Sequence, residues 1–237
     1  MRLLLGSGGF RLEDRRRVLA EQMQELFGGI DEVLFVPYAL ADHDRYVNRL
    51  AELGLNAGYR LRSIHRCGNP VDAVERAQGI YVGGGNTFRL LNALYDRDLL
   101  EVIHRRVSEG MPYLGISAGS NVACPTLMTT NDMPIVQPPS FEALGLVPFQ
   151  INAHYYHGTT FVQTPAGLQE HFGETRDTRI NEYHEVNPTP VIGLWEGAML
   201  KLAGSTAQLL GGPARIFRKD REPVDLEPGG QAWPPTR

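Results

Sequence analysis

Short apolar runs alternate with amphipathic stretches through the first half of the chain. Each run is short enough for one buried strand, and several runs end at glycine or proline. The predicted strands are residues 3–5, 33–36, 60–64, 80–82 and 113–116. Between them, apolar residues recur at helical spacing within residues 13–27 and in the sets Phe88, Leu91, Leu94 and Leu100, Ile103, Val107. This alternation predicts an α/β fold of three layers, with a mostly parallel twisted sheet and helices on both faces.

The second half of the chain is less regular. Prolines interrupt residues 125–148, and three later runs, at 191–194, 199–202 and 207–210, are typical of short strands separated by turns. We therefore expect a small C-terminal β region. The sequence contains no internal repeat and no clear linker, which predicts a single domain over residues 1–226. Residues 227–237, which are rich in proline and glycine, are expected to form a flexible tail.

Composition narrows the class of protein. The 237 residues carry 23 Lys+Arg against 27 Asp+Glu, a net charge of −4, with 42% hydrophobic residues. This balance is typical of a globular protein, and it argues against a broad basic surface for nucleic acid or anionic membrane. No apolar run is long enough for a signal peptide or a membrane span. Two cysteines are too few for a disulfide framework, so a cytoplasmic location is expected.

The segment from Gly115 to Gly119 carries the strongest chemical signal. It has the pattern G-x-S-x-G, with an apolar strand before Ser117 and helix-compatible residues after it. In that context the pattern indicates a nucleophile elbow, in which the N–H of the next residue, Ala118, faces a developing oxyanion. A turn of small residues without catalytic function is the alternative interpretation.

A serine nucleophile needs a base, and the base needs an orienting acid. Among seven histidines, His154 follows an apolar run at the place where a strand would end, and His157 is a weaker alternative. Two acids compete for the third position. Asp132 lies between the serine and the histidine, and Glu196 follows a later strand. Sequence order does not decide between them.

Glycine clusters follow the first and fourth predicted strands. Residues 83–87 precede a helix, so their N–H groups could bind an anion or supply a second oxyanion donor, with a simple tight turn as the alternative. We expect Gly84 and Asn86 to contact substrate. No phosphate-binding P-loop pattern occurs, and the first cluster carries Arg11 where a dinucleotide fingerprint needs glycine. Histidine spacing matches no zinc pattern, so no metal or cofactor is expected. The arginines at 15–17 are interpreted as a solvated helix face.

Several segments together resemble the peptidase E, or α-aspartyl dipeptidase, family of serine peptidases. The most specific is Thr-Thr-Asn-Asp-Met-Pro at residues 129–134. The other matching segments, which follow the order of the family, are residues 35–39, 82–88, 115–121, 123–126, 135–136, 150–154, 173–176, 191–197 and 210–213.

The resemblance implies hydrolysis of short peptides after an N-terminal aspartate, on a fold related to class I glutamine amidotransferases. It makes Ser117 the nucleophile and His154 the base, with Gly85 and Ala118 as oxyanion donors. The family pattern has an acid at both Asp132 and Glu196, and we prefer Asp132 because a short loop ties it to the elbow. Small peptides are then the expected partners, without nucleic acid or membrane, and a homodimer is left open.

Substrate recognition follows from the same resemblance. It links Arg176 to the substrate aspartate, and a guanidinium suits that carboxylate by charge and geometry. Residues 155–172 form a longer segment than the family has, which predicts a relaxed preference for dipeptides. The rival functions are a cyanophycinase-like β-aspartyl peptidase and a non-catalytic binding module.

Overall fold

A seven-stranded sheet forms the centre of the computed structural model, which describes residues 1–204 and 206–229. The strand order is β11-β10-β1-β5-β4-β2-β3, in which β1 to β5 pair in parallel and β10 and β11 add an antiparallel edge. The strands are β1 Arg2–Gly6, β2 Glu32–Val36, β3 Arg60–Ser63, β4 Ile80–Val82, β5 Tyr113–Ile116, β6 Gln150–Ala153, β7 Thr160–Thr164, β8 Gly167–His171, β9 Val191–Leu194, β10 Met199–Ala203, β11 Thr206–Leu210, β12 Ala214–Arg218 and β13 Arg221–Leu226.

Helices cover both faces of this sheet, as the sequence predicts. The helices are α1 Glu13–Phe27, α2 His43–Glu52, α3 Pro70–Arg76, α4 Thr87–Tyr95, α5 Leu99–Ser108, α6 Ala118–Asn121 and α7 Arg176–Val186. Neighbouring strand residues point to opposite faces. Leu4 therefore packs with Leu19 of α1 and Leu50 of α2, whereas Leu3 packs in the cluster that contains Leu91 of α4 and Ile103 of α5. The predicted α/β class is thus confirmed.

A second sheet, in the order β13-β12-β9-β6, lies beside the first. Ile151 and Ile192 pack into the core that Leu3 also enters, and Ile180 of α7 packs with Tyr155 and Phe217 in a separate cluster. The predicted strands at 191–194, 199–202 and 207–210 are present, but they do not form one C-terminal region. The first belongs to the second sheet, and the other two extend the main sheet.

Residues 160–171 form a hairpin, in which β7 and β8 pair with each other. This hairpin occupies much of the long segment 155–172, and Phe161 and Leu168 are exposed on it. Of the expected tail, residues 227–229 are described, and the Gly229 N–H donates to the Leu209 carbonyl over 3.1 Å. Residues 230–237 lie outside the described part. Within the described residues, no helix is long and apolar enough to cross a membrane.

Candidate active site

Ser117 occupies a sharp turn between β5 and α6. Its backbone has φ 53° and ψ −109°, a conformation that residues with a side chain adopt rarely and only when the surroundings enforce it. The Ser117 N–H donates to the Gly6 carbonyl over 2.8 Å, and the buried Ser120 hydroxyl contacts the same carbonyl at 2.8 Å. The turn therefore holds the Ser117 side chain at the carboxyl edge of the main sheet, as expected of a nucleophile elbow.

His154 lies against Ser117. It directly follows β6, and its Nε2 is 2.8 Å from Ser117 Oγ. His154 also has positive φ, at 55°. A residue that the sequence did not single out fixes this backbone: the buried Ser7, whose hydroxyl accepts from the His154 N–H and donates to the Leu194 carbonyl, both over 2.8 Å. Ser7 thereby joins the ends of β1, β6 and β9 at the site.

Glu196 is the carboxylate that contacts His154. Its Oε1 lies 2.5 Å from His154 Nδ1. This contact corrects the preference for Asp132. The reason is topological: β6 and β9 are parallel neighbours with Ala153 opposite Leu194, so the residues that follow the two strands meet. Both side chains are accessible to solvent, with 44% of His154 and 43% of Glu196 exposed.

Asp132 lies at the start of α4 instead. Its Oδ2 accepts from the Thr87 N–H at 2.7 Å, from the Thr87 hydroxyl at 2.6 Å and from the Thr130 hydroxyl at 3.1 Å. A carboxylate is stabilised there because the first N–H groups of a helix lack partners within the helix and carry partial positive charge. Asp132 thus attaches its loop to α4, and within residues 1–204 and 206–229 it makes no hydrogen bond or ion pair with His154.

The residues before Asp132 support the strand that carries His154. The Thr129 hydroxyl donates to the Ile151 carbonyl over 2.9 Å, and the Asn131 amide donates to the Ala153 carbonyl over 2.7 Å. In return, the Asn152 amide donates to the Thr129 carbonyl over 2.9 Å. The specific Thr-Thr-Asn-Asp block therefore connects β6 to α4 and sets the position of His154 indirectly.

Glycines after β1 make room for the His154–Glu196 pair. A side chain at Gly8 would meet the His154 ring, and one at Gly9 would overlap the Glu196 carboxylate. Arg15, which the sequence interpretation left in solvent, also approaches this pair from α1: it lies 3.9 Å from Glu196 Oε2 and donates to the Gly9 carbonyl over 3.4 Å. The first glycine cluster therefore serves close packing around the pair.

The second glycine cluster adjoins the elbow. A Cβ at Gly84 would come within 3.1 Å of Ser117 Cβ and of the Ile116 carbonyl, so only glycine fits this approach unstrained. Gly85 follows it, with φ 138°. The Asn86 side chain is already engaged: its Oδ1 accepts from the Arg89 N–H at 3.0 Å, and its Nδ2 donates to the Met133 carbonyl over 2.8 Å. The geometry thus gives Asn86 a helix-capping contact, and its role in substrate binding stays a prediction.

Arg176 begins α7, near the end of β6. Its guanidinium lies 5.4 Å from the ring centroid of Tyr156, two residues after His154. Its buried Nε has no hydrogen-bond partner among the described residues, and burial lowers the pKa of Arg176. The neighbouring Asp177 is occupied elsewhere, by the Tyr155 hydroxyl, by His157 at 3.0 Å and by Arg215 at 3.2 Å. Within the described part of the chain, the Arg176 guanidinium therefore has no acidic partner.

The other candidate base, His157, is outside this arrangement. His157 contacts Asp177 and not Ser117, which leaves His154 as the histidine at the elbow. Cys124 is buried, and that burial raises the pKa of its thiol. Across residues 1–204 and 206–229 no cluster of three His, Cys, Asp or Glu side chains has a metal-binding arrangement.

Comparison with known proteins identifies the family of this chain. The model of peptidase family S51 matches residues 2–210. The chain belongs to peptidase family S51. Peptidase E of Streptomyces coelicolor is 50% identical over 197 residues, which cover 82% of this chain and 78% of that protein. The probable alpha-aspartyl dipeptidase of Drosophila melanogaster is 44% identical over 211 residues, covering 87% and 85%. The resemblance drawn from the sequence is therefore confirmed.

Solved structures share the fold. A crystal structure of a peptidase from an acI-B1 Actinobacterium aligns with a TM-score of 0.69 at 19% identity, covering 98% of this chain and 96% of that one. A putative peptidase E from Listeria monocytogenes aligns with a TM-score of 0.66 at 22% identity, covering 89% and 98%. At these identities the likeness establishes the fold of this S51 peptidase.

Proposed function

We propose that the chain is a serine exopeptidase that hydrolyses the bond after an N-terminal aspartate in dipeptides and short peptides. One observation carries the proposal: Ser117 Oγ lies 2.8 Å from His154 Nε2, and His154 Nδ1 lies 2.5 Å from Glu196 Oε1, at a nucleophile elbow. Membership of family S51 and the names of the relatives, peptidase E and α-aspartyl dipeptidase, support the same reaction.

The proposed chemistry follows the contacts. With its Nδ1 proton donated to Glu196, the His154 ring presents an unprotonated Nε2 that can accept the Ser117 proton as Oγ attacks the substrate carbonyl. The Gly85 and Ala118 N–H groups are proposed to donate to the oxyanion. His154 then returns the proton to the leaving amine, which leaves an aspartyl ester on Ser117. Water, deprotonated by the same ring, hydrolyses the ester and restores the serine.

Arg176 is proposed to bind the side-chain carboxylate of the substrate aspartate. Three observations support this assignment: the buried Nε without a partner, the position of the guanidinium over Tyr156, two residues after His154, and the absence of a paired acid among the described residues. A guanidinium binds a carboxylate with two parallel hydrogen bonds between opposite charges. A substrate asparagine has a neutral side chain and would lack this attraction.

A peptide panel tests the reaction. Wild type and Ser117→Ala are assayed on Asp-X, Glu-X, Asn-X and Ala-X, together with β-Asp-Arg. We expect Asp-X to be the best substrate, and we expect Ser117→Ala to lose about 10³-fold or more of kcat. Equal turnover by Ser117→Ala would contradict the proposed nucleophile, and faster cleavage of β-Asp-Arg would contradict the proposed specificity.

Arg176→Gln tests the specificity, with Arg179→Gln as its matched control. Arg179 lies on the same helix but pairs with Glu174 at 3.1 Å. The preference for Asp-X over Asn-X should fall about 10-fold or more in Arg176→Gln, because the charge-assisted bonds are lost, and it should be retained in the control. An unchanged preference in Arg176→Gln would remove Arg176 from the proposal.

The cytoplasmic location, the single domain over 1–226 and the homodimer also stay predictions. The first is checked by cell fractionation and the last by sedimentation of the purified chain. Neither bears on the roles of Ser117 and His154.

A further inference from the structure

A large cavity opens on Ser117 and His154 and extends between α1 and α2. Its volume is about 670 Å³, within the usual range for small-molecule sites, roughly 300–1,000 Å³. Ser117, His154 and Gly84 form part of its lining. Away from them its wall is apolar, and the residues there are Leu19, Leu50, Leu53, Leu55 and Tyr81. The nucleophile therefore faces a space larger than the reacting bond needs.

Cationic side chains also line this cavity. They are Arg11, after β1, and Arg45 and Arg49 on α2. Arg49 is paired with Glu52 at 3.2 Å. The side chains of Arg11 and Arg45 make no ion pair or hydrogen bond with any described residue, and both are exposed. The cavity thus combines an apolar wall with two cations that lack an acidic partner.

The acidic lining residue, Asp42, does not neutralise these cations. Asp42 is the N-cap of α2, and its Oδ1 accepts from the Arg45 backbone N–H at 2.9 Å. That contact uses the carboxylate for the helix end and leaves the Arg45 guanidinium available. A ligand with an ammonium group would meet repulsion from Arg11 and Arg45, whereas a carboxylate would be attracted.

The two halves of an Asp-X dipeptide differ in the same way. The aspartyl half carries the N-terminal ammonium together with its side-chain carboxylate, whereas the leaving half carries the side chain of X and a free carboxylate without an ammonium. We propose that this cavity receives the leaving residue, with its side chain on the apolar wall and its carboxylate bound by Arg45 together with Arg11. The inference rests on the proposed function and deepens it, since it assigns the leaving side of the substrate.

A site for the leaving carboxylate would act against the relaxed preference for dipeptides that the long segment 155–172 predicts. A site that binds the carboxylate of the leaving residue favours dipeptides, because in a longer peptide the same position holds an uncharged amide. Three arginines then bind the two carboxylates of the substrate: Arg176 binds the aspartate side chain, and Arg45 with Arg11 binds the C-terminal carboxylate.

The test compares Asp-Leu with Asp-Leu-amide, which differ only in the terminal charge. Wild type, Arg45→Gln, Arg11→Gln and the double variant are assayed, with Arg17→Gln as control because Arg17 is an exposed α1 residue paired with Asp14 outside the cavity lining. Wild type should favour the acid by about 10-fold in kcat/KM. In the double variant KM for the acid should rise until this ratio approaches one, while the amide rate changes less than about 2-fold.

The assays can overturn the inference in several ways. An equal rate of the acid and the amide in wild type, or a ratio that is unchanged in the double variant, overturns the inference while cleavage of Asp-Leu leaves the proposed function intact. A fall of the ratio in Arg17→Gln as large as in the double variant also overturns it, since that would reflect general surface charge. No cleavage of either peptide by wild type overturns both.

Discussion

Asp132 and Glu196 are two acids in loops, and the structure uses them in different ways. Asp132 is nearer to Ser117 along the chain, yet its carboxylate contacts Thr87 at the start of α4. Glu196 is far along the chain, yet it lies 2.5 Å from His154. Parallel pairing of β6 and β9 brings the ends of these strands together. Adjacency at a sheet edge, and not closeness in sequence, therefore decides which acid meets the histidine.

The two regions also differ in what they hold in place: one contacts the backbone of β6, and the other contacts the side chain of His154. The loop that ends at Asp132 holds the backbone of β6 through Thr129 and Asn131, and it should affect the free energy of unfolding. Glu196 contacts His154, the proposed base, and should affect kcat. Substitutions in the two regions are expected to separate stability from turnover.

The largest effect is expected for Glu196→Gln. The amide cannot stabilise the positive charge on His154, and it favours the wrong tautomer by donating to Nδ1, so kcat should fall by about 10²–10⁴-fold. Because the side chain is partly exposed, the thermal midpoint should change little. Steady-state kinetics on Asp-Leu and thermal unfolding measure the two quantities. Near-normal kcat in a folded variant would contradict the role of Glu196.

Asp132→Asn should do the reverse. Loss of the charge at the start of α4 should lower the free energy of unfolding by about 1–2 kcal/mol, while kcat falls less than about 10-fold. Urea unfolding and the same kinetic assay decide it. If this variant lost as much kcat as Glu196→Gln, the distinction between the two acids would fail.

Thr87→Val sharpens the assignment of Asp132 to α4. The substitution removes the hydroxyl that donates to Asp132 and should cost about 1 kcal/mol of stability. Thr87 and Asp132 are in contact, so the double variant should be less destabilised than the sum of the single ones, by about 0.5–1 kcal/mol. Strict additivity in urea unfolding would show that the two side chains do not depend on each other.

Arg15→Gln is expected to have the smallest effect. Arg15 is 3.9 Å from Glu196, and both side chains are partly exposed, so solvent screens the pair. We expect a decrease of about 2–3-fold in kcat, which should shrink further at high salt. Arg17→Gln, on the same helix, is the control and should not change kcat. A loss of more than about 30-fold would make Arg15 an essential positioning residue.

Much of the fold could be predicted because the buried strands are continuous apolar runs. Helix α1 was also predictable, since Leu19, Met23 and Leu26 recur on one face. Helix α7 was not, because Ile180 and His184 are its buried residues and no apolar stripe marks it. Its start depends on Thr175, whose hydroxyl accepts from the Thr178 N–H, and on packing against the second sheet.

In the site, too, only the residues that local sequence marks could be predicted. Ser117 and His154 each follow a buried strand, so local sequence marks both of them. The choice of acid depends on which strands are neighbours in the second sheet, and no local pattern carries that information. Ser7 and Arg15 were missed for the same reason, since their contacts with His154 and Glu196 join distant parts of the chain.

The rate at which a fluorophosphonate probe labels Ser117 measures whether Glu196 or Asp132 activates the serine, and it does so without any substrate. We expect labelling of Ser117 in wild type, a near wild-type rate in Asp132→Asn, and a rate lower by about 10²-fold or more in Glu196→Gln. A slow rate in Asp132→Asn together with a normal rate in Glu196→Gln, or no labelling of Ser117 in the folded wild type, would contradict this expectation.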